Sequence, residues 1–304
     1  MIEHSIWNER WRPQSLETYV GNQEIKDRIS KCIEDNDIPH LMFHGKAGTG
    51  KTTIAKLIVK NIDCDFIYIN ASDERGIDTV REKITGFAST MSFKPLKVVI
   101  LDEADYLMNS AQAALRNVIE TFSKNTRFIF TCNYIERIID PLQSRCETYK
   151  INPPSKKEVA LHLVNILNKE GVSFDKQAIA SIVNRYYPDI RKVINTTQGA
   201  VKDNALTFKD TSKEDADYLN KMLAILKQPS NKSFNQIRQI VADNGVGEFD
   251  NAFRFLFDNL DKYAKSAPTI AIVIAEYQFR SATAPDKEIN FFGCIASIIN
   301  TLNQ

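Results

Sequence analysis

Apolar and polar positions follow two different patterns along this chain. Up to about residue 150, short apolar runs alternate with longer amphipathic stretches. The runs Leu41–Phe43, Phe66–Ile69, Val98–Leu101 and Phe128–Thr131 read as strands. Stretches at about Thr52–Val59, Ile77–Ser89 and Ala111–Phe122 carry helical spacing between them. Alternating strands and helices predict a parallel sheet, with phosphate chemistry at the C-terminal ends of its strands.

Asn152-Pro153-Pro154 breaks this pattern, and everything after it reads helical. Ser155-Lys156-Lys157-Glu158 has the form of a capping box ahead of the apolar spacing Val159, Leu163, Ile166. Gly171 ends that helix, Asp175 opens a second, and Pro188-Asp189 opens a third running to about Thr197. From Glu214 helical patterns continue to the end, interrupted near Pro229-Ser230 and at Asn244–Gly247. The stretch Ile270–Glu276 is almost wholly apolar and is expected to be a buried bundle helix or an interface. The pattern gives an α/β module over 1–153, a small helical module over 154–212 and a helical C-terminal part over 213–304.

Composition narrows the class without naming it. A hydrophobic share of 43% and a charged share of 25% are those of a globular protein. No apolar run approaches the roughly 20 residues of a membrane span, so no membrane partner is expected, and the N-terminus lacks an apolar signal-type stretch. The five cysteines are scattered with no C-x-x-C pair, which speaks against a disulfide framework or a zinc site and for a reducing, intracellular setting. A net charge of +1 gives no general attraction to nucleic acid, so any such contact must be a local patch. Beyond Val201, twelve basic residues face thirteen acidic ones, which makes that part a packing or assembly element rather than a DNA surface.

Candidate chemistry starts at Gly45-Lys46-Ala47-Gly48-Thr49-Gly50-Lys51-Thr52, directly after the first strand-like run. It fits the phosphate-loop spacing G-x-x-x-x-G-K-S/T at every fixed position. Gly45, Gly48 and Gly50 allow the tight turns that aim backbone N–H groups at phosphate oxygens. Lys51 would reach the β- and γ-phosphates, Thr52 would hold a Mg²⁺, and the helix starting near Lys51 adds its positive end. The second motif, Val98–Asp105, is an apolar strand ending in two carboxylates. Asp102 would serve Mg²⁺ through its outer shell, and Glu103 would polarise the water that attacks the γ-phosphate. An acidic turn after a strand is the plain alternative, and the phosphate loop about fifty residues earlier weighs against it.

Three further segments fit around these. The strand Arg127–Asn133 would set the Asn133 amide beside the γ-phosphate, although a strand-end Asn is ordinarily a turn former. In Pro141–Cys146, Arg145 lies in a loop among small or polar groups, from which a guanidinium could stabilise transition-state charge at a neighbour's γ-phosphate. A salt bridge within its own subunit is the alternative. In Tyr187–Lys192, Asp189 caps a helix and leaves Arg191 in the first turn, where it could couple the helical module to the γ-phosphate.

Phosphate loop, Asp-Glu, strand-end Asn, Ser144-Arg145-Cys146 and a helical-module Arg, in this order, resemble the AAA+ ATPases. Three stretches, Glu9–Glu24, Asn70–Thr90 and Ser110–Glu120, look like the small subunits of replication factor C. The Ser-Arg-Cys triplet resembles clamp loaders in particular. The compact C-terminal part looks like the large subunit of the bacteriophage T4-type sliding-clamp loader. The resemblance is dense from residue 9 to about 200 and thin beyond.

It implies an α/β AAA+ module, then a small helical lid, then an all-α collar that holds a ring together. Trp11, Arg12, Pro13, Val20 and Gly21 would border the adenine of ATP, and Gly45 to Thr53 would bind its triphosphate. Asn133 would be the first sensor, Arg191 the second, and Arg145 would act in trans. Gln112 matches a position thought to relay between DNA and the ATP site, although a helix-surface Gln is the default. Arg75, Gly76, Ile77 and Arg81 are candidates for tracking the phosphates of primer–template DNA, and Arg116 is a further one. Phe87, Met91 and Phe93 would touch the sliding clamp, with core packing an equal reading. The partners implied are further copies of the chain in a ring or spiral (a homo-tetramer plus one different small subunit), the clamp and DNA. The location implied is the cytoplasm, that of a bacterial host if a phage encodes the chain. The expected activity is DNA- and clamp-stimulated ATP hydrolysis. The rivals are a branch-migration helicase motor and a nucleotide-binding scaffold that does not hydrolyse.

Overall fold

The computed structural model describes residues 6–73, 77–208, 212–264 and 266–303, and of residues 77–81 and 212–216 the backbone alone. Helices α1 (Trp7–Arg10) and α2 (Gln23–Glu34) precede strand β1 (Leu41–His44). Then follow α3 (Lys51–Asn61), β2 (Cys64–Asn70), α4 (Ile77–Ser89), β3 (Leu96–Asp102), α5 (Asn109–Phe122), β4 (Thr126–Cys132), α6 (Asp140–Gln143) and β5 (Glu147–Lys150). These strands form one parallel sheet in the order β2-β3-β4-β1-β5.

The two-residue period of a strand fills both faces of this sheet. Leu41 and Phe43 of β1, with Val98 and Ile100 of β3, face α2 and α3 through Ile29, Ile54 and Ile58. Met42, Val99 and Leu101 point the other way, toward Ile84 of α4 and Leu115 and Ile119 of α5. All seven residues of β3 are buried, as a strand covered on both sides requires. The edge strand β5 was not evident from its residues. Its Glu-Thr-Tyr-Lys alternation carries little apolar signal, and it is held by pairing to β1, by Arg28–Glu147 at 2.9 Å and by Tyr149 stacked on Phe43.

Helices α7 (Lys156–Lys169), α8 (Lys176–Tyr186) and α9 (Ile190–Gly199) follow. The expected capping box is formed: Glu158 N donates to Ser155 Oγ at 3.3 Å, and Ser155 N donates to Glu158 Oε2 at 2.8 Å. Gly171 takes φ +67°, the left-handed conformation that ends a helix at low cost. These helices share a core of Val159, Leu163, Ile182, Val193 and Ile194, and Trp7 of α1 is part of it. The N-terminal segment therefore packs on the helical module, with Trp11 Nε1 donating to Glu170 at 2.6 Å. The wholly helical reading after residue 152 needs one correction. Val201–Lys202 (β6) and Ala205–Leu206 (β7) form an antiparallel hairpin, turned by Asp203 and Asn204, both at positive φ. An Asp-Asn pair suits such a turn, and two-residue strands are too short to show a period.

The chain divides into two compact units, Met1–Lys209 and Asp210–Gln304. The second is all-helical: α10 (Ser212–Lys227), α11 (Ser233–Asp243), α12 (Asp250–Asp258), α13 (Ala267–Ser281) and α14 (Lys287–Asn303). Met222, Leu226, Ile237, Phe253 and Ile295 fill its core, around Phe249 stacked on Phe291 at 4.6 Å. The apolar run in α13 is buried on one side only. Ile270 and Ile274 are in the core, whereas Ile272 is 69% exposed.

Candidate active site

β1 ends at His44, and the backbone turns through the glycine-rich loop into α3. Gly45 has φ +147° and its missing Cβ would stand 2.5 Å from the Ile151 carbonyl. Gly48 has φ +73°, and a Cβ there would collide with the Asp189 carboxylate at the start of α9. Both positions require glycine by conformation and by space. Lys51, only 8% exposed, donates to the carbonyls of Gly45 and Lys46, both at 2.9 Å, and to Asn133 Oδ1 at 2.8 Å. Burial lowers its pKa below the ordinary lysine value, while Asp102 and Asp105 act the opposite way. The strand-end amide of Asn133 is thus held beside the phosphate-loop lysine.

Asp102 ends β3 beside α3. Its carboxylate accepts from Thr52 Oγ1 at 2.8 and 3.0 Å, from Tyr68 OH at 2.5 Å and from Thr131 Oγ1. Burial and the bond to Asp102 raise the pKa of Tyr68, so its hydroxyl keeps its proton. Glu103 follows in the left-handed conformation, φ 56°, with its N–H bonded to Thr131 Oγ1 at 3.1 Å. A non-glycine residue held there is a strained position of the kind found at functional sites. Asp105 accepts from Tyr134 N at 3.3 Å through Oδ2, and its buried Oδ1 has no partner. Among the described residues no group of three or more His, Cys, Asp or Glu could hold a metal unaided. Thr52 offers an oxygen ligand and Asp102 an outer-shell carboxylate, a pair suited to Mg²⁺, which draws its other ligands from phosphate and water.

One cavity joins these groups. Trp11, Arg12, Pro13 and Val20 line it at one end, and the loop from Ala47 to Thr53 lines its floor. Asp102, Glu103, Asn133 and Arg191 complete its polar side. Gly45 and Lys46 contribute carbonyls to Lys51 from outside that lining, and Gly21 packs on Pro154. Among the lining residues that the sequence did not single out, three are informative. His162 of α7 has its pKa lowered by burial. Tyr19 is 3% exposed, and its hydroxyl is buried without a partner against Gly50. Thr131 is the third. His162 and Thr131 sit in apolar patterns that read as packing.

Gln112 departs from the helix-surface default. It is 1% exposed, donates to the carbonyls of Leu107 at 3.1 Å and Arg137 at 2.9 Å, and accepts from Ile139 N at 2.9 Å. It thereby ties α5 to the segment that leads into α6 and Arg145. Arg145 lies outside the cavity lining. Its Nε donates to Glu120 Oε1 of α5 at 3.1 Å, and Nη1 donates to the Pro141 carbonyl at 2.7 Å.

Of the DNA candidates, Arg75 and Gly76 lie outside the described residues, and Ile77 and Arg81 are described by backbone only, in α4. Arg116 is exposed on α5. Phe87 is half-buried against the core, while Met91 and Phe93 are fully exposed. Lys97, 3% exposed at the second position of β3, donates to the Phe87 carbonyl at 2.7 Å and to Thr90. A cation on these last carbonyls of α4 favours the helix end and fixes where the exposed pair begins.

Residues 41–153 match the model of the ATPase family associated with various cellular activities (AAA). A replication factor C small subunit from Archaeoglobus fulgidus is 43% identical over 69% of this chain and 68% of that protein. Replication factor C small subunit 2 from Pyrobaculum islandicum is 34% identical over 98% of both chains. This chain belongs to the replication factor C small-subunit family. Two solved variants of Thermotoga maritima RuvB superpose with a TM-score of 0.56 at 17% and 18% identity, covering 86% of this chain and 91% of theirs. That likeness concerns the fold: a phosphate-loop module with a five-stranded parallel sheet followed by helices. In this family member, no helix of the described residues is long and apolar enough to cross a membrane. All five cysteines are free thiols, four of them buried.

Proposed function

We propose that this chain is an ATPase subunit of a DNA-replication clamp loader. ATP binding favours a ring or spiral of subunits that holds an opened sliding clamp. Primer–template DNA then triggers hydrolysis, and the clamp is released on DNA. In this reading Trp11, Arg12, Pro13 and Val20 border the base, the loop to Thr53 cradles the triphosphate, and Lys51 neutralises β- and γ-phosphate charge. Thr52 and Asp102 hold Mg²⁺, which screens phosphate charge when bound. Glu103 orients and polarises the attacking water, and Asn133 positions it. Arg191, at the first turn of α9, reports the γ-phosphate to the helical lid (154–212), while residues 213–304 form the collar.

The observation that carries the reading is the place of Arg145. The cavity that gathers Lys51, Asp102, Glu103 and Asn133 does so without it. A guanidinium on the outside of one subunit suits the nucleotide of the next, and hydrolysis at seams between subunits follows. Met91 and Phe93 are the proposed clamp contact, Arg75, Gly76, Ile77, Arg81 and Arg116 the proposed DNA contacts, and the cytoplasm the proposed location. The arrangement implied is four copies with one different small subunit.

The test is ATP turnover by the assembled complex with and without primed DNA and a clamp, alongside the native mass of the assembly. Stimulation by both supports the reading. Turnover indifferent to both removes it, and no turnover leaves the scaffold.

A further inference from the structure

The Asp102 carboxylate is gripped from both neighbouring strands. Thr131 of β4 donates to Oδ1, and Tyr68 of β2 donates to Oδ2 at 2.5 Å. The third donor, Thr52 Oγ1, comes from α3 and reaches both oxygens at 2.8 and 3.0 Å. The three donors differ in what else they have to do. Thr52 shares the metal role through its oxygen, and its single O–H proton serves only one carboxylate oxygen at a time. Thr131 also accepts the Glu103 N–H at 3.1 Å and bonds the same oxygen that Thr52 approaches more closely. Tyr68 is the one donor to Oδ2 that belongs to the sheet. It pairs in register with Ile100, two residues before Asp102, so only a long side chain leaning along the strand spans the gap. Its ring is 39% exposed and carries Lys56 Nζ at 4.6 Å, which marks it as more than core filling. The terminal torsion of a carboxylate is broad and roughly two-fold, so one anchored oxygen leaves it free to turn and two fix it.

We propose that Tyr68 is a positioning residue that sets the rotation of the Asp102 carboxylate, and with it the oxygen turned toward the outer shell of the Mg²⁺ that Thr52 would hold. The proposal rests on the reading of the site as one for ATP and Mg²⁺. Groups that orient a metal ligand typically change metal affinity by about 10- to 100-fold.

The test uses Tyr68→Phe in the full chain, which keeps the ring and its contact with Lys56. Mn²⁺ is the probe ion, followed by electron paramagnetic resonance with ATP bound. ATP affinity in EDTA and thermal unfolding are measured beside it, with Thr52→Ala as the reference for a lost metal ligand. The expected result is Mn²⁺ binding weakened about 10-fold or more, with ATP affinity in EDTA and the unfolding temperature unchanged. Mn²⁺ affinity equal to that of the unmodified chain overturns the proposal. So does a matching loss of ATP affinity in EDTA or of unfolding temperature, because Tyr68 would then be a packing residue. If the unmodified chain holds Mn²⁺ no better than Thr52→Ala, the ATP–Mg²⁺ reading itself fails and the proposal falls with it.

Discussion

Arg145 is bound to Glu120 within its own chain. The guanidinium donates through Nε at 3.1 Å and through a second, shorter bond, and it holds the Glu120 carboxyl below the usual carboxylate range. The two side chains are 31% and 53% exposed. An exposed pair of this kind is weak, and in the proposed reading a phosphate at a neighbouring site outcompetes it. Glu120 thus reads as a parking place for a cation that works elsewhere.

Arg145→Ala is expected to leave ATP binding nearly intact and to reduce hydrolysis about 10³-fold or more at the adjacent subunit's site. Mixed assemblies carrying one altered subunit locate the loss; a defect confined to the altered subunit's own pocket contradicts action in trans. Glu120→Gln is expected to do the reverse, raising turnover without DNA by about 2- to 5-fold, since a weak competing ion pair is removed. Basal turnover that stays the same or falls in this variant excludes the parking role.

Glu103 stands at φ 56° with its N–H tied to Thr131. The strand end therefore fixes the backbone from which the Glu103 carboxylate projects, through the same Thr131 hydroxyl that bonds Asp102, and a change confined to the Glu103 side chain keeps that contact. Glu103→Gln should keep nucleotide affinity within about twofold and lower turnover about 10²- to 10⁴-fold, the usual worth of a general base. The variant should accumulate in an ATP-bound state that retains DNA. Fast single-turnover hydrolysis by the variant rules out the role.

The parts of the site that phosphate chemistry dictates were legible beforehand. A glycine-lysine-threonine loop and two carboxylates at a strand end are residue types no packing rule would place at that spacing. What stayed hidden was chemistry carried by residues that packing also favours. Tyr68 lies in Phe66–Asn70, where an aromatic reads as a strand former. Gln112 was named by resemblance, but its burial was not legible: on an amphipathic helix a polar residue reads as solvent-facing, and the 137–139 segment bonded to it covers it. Lys97 is buried near the start of β3 without a local signal, since its partners are carbonyls at and just past the end of α4, ten and seven residues away. β5 was missed for the opposite reason: its edge is polar, and tertiary pairing alone makes it a strand.

The orphaned hydroxyl of Tyr19 gives a prediction with two sides. A buried hydroxyl without a partner costs about 1–3 kcal/mol. Tyr19→Phe should therefore raise nucleotide-free stability by about 1 kcal/mol, read as a shift in the denaturant midpoint. If the hydroxyl bonds the nucleotide in the cavity it lines, the same change should weaken ATP binding and leave the ATP-bound protein no more stable than before. A gain that is equal with and without ATP shows that Tyr19 only packs.

Acid stability should depend on the histidines. Burial lowers the pKa of His40, His44 and His162 below the ordinary 6.5. For His40 the geometry agrees, since its Nδ1 accepts the Phe128 N–H at 3.2 Å and cannot do so once protonated. The unfolded chain then binds more protons than the folded one below pH 6.5, so stability is present above that pH and declines as the pH falls toward the lowered folded values. Denaturant titrations between pH 8 and 5 should show this decline. His40→Gln, which can accept the same N–H without taking up a proton, should flatten the slope. A slope that is unaffected by that change shows that carboxylates, not the buried imidazole, set the acid limit.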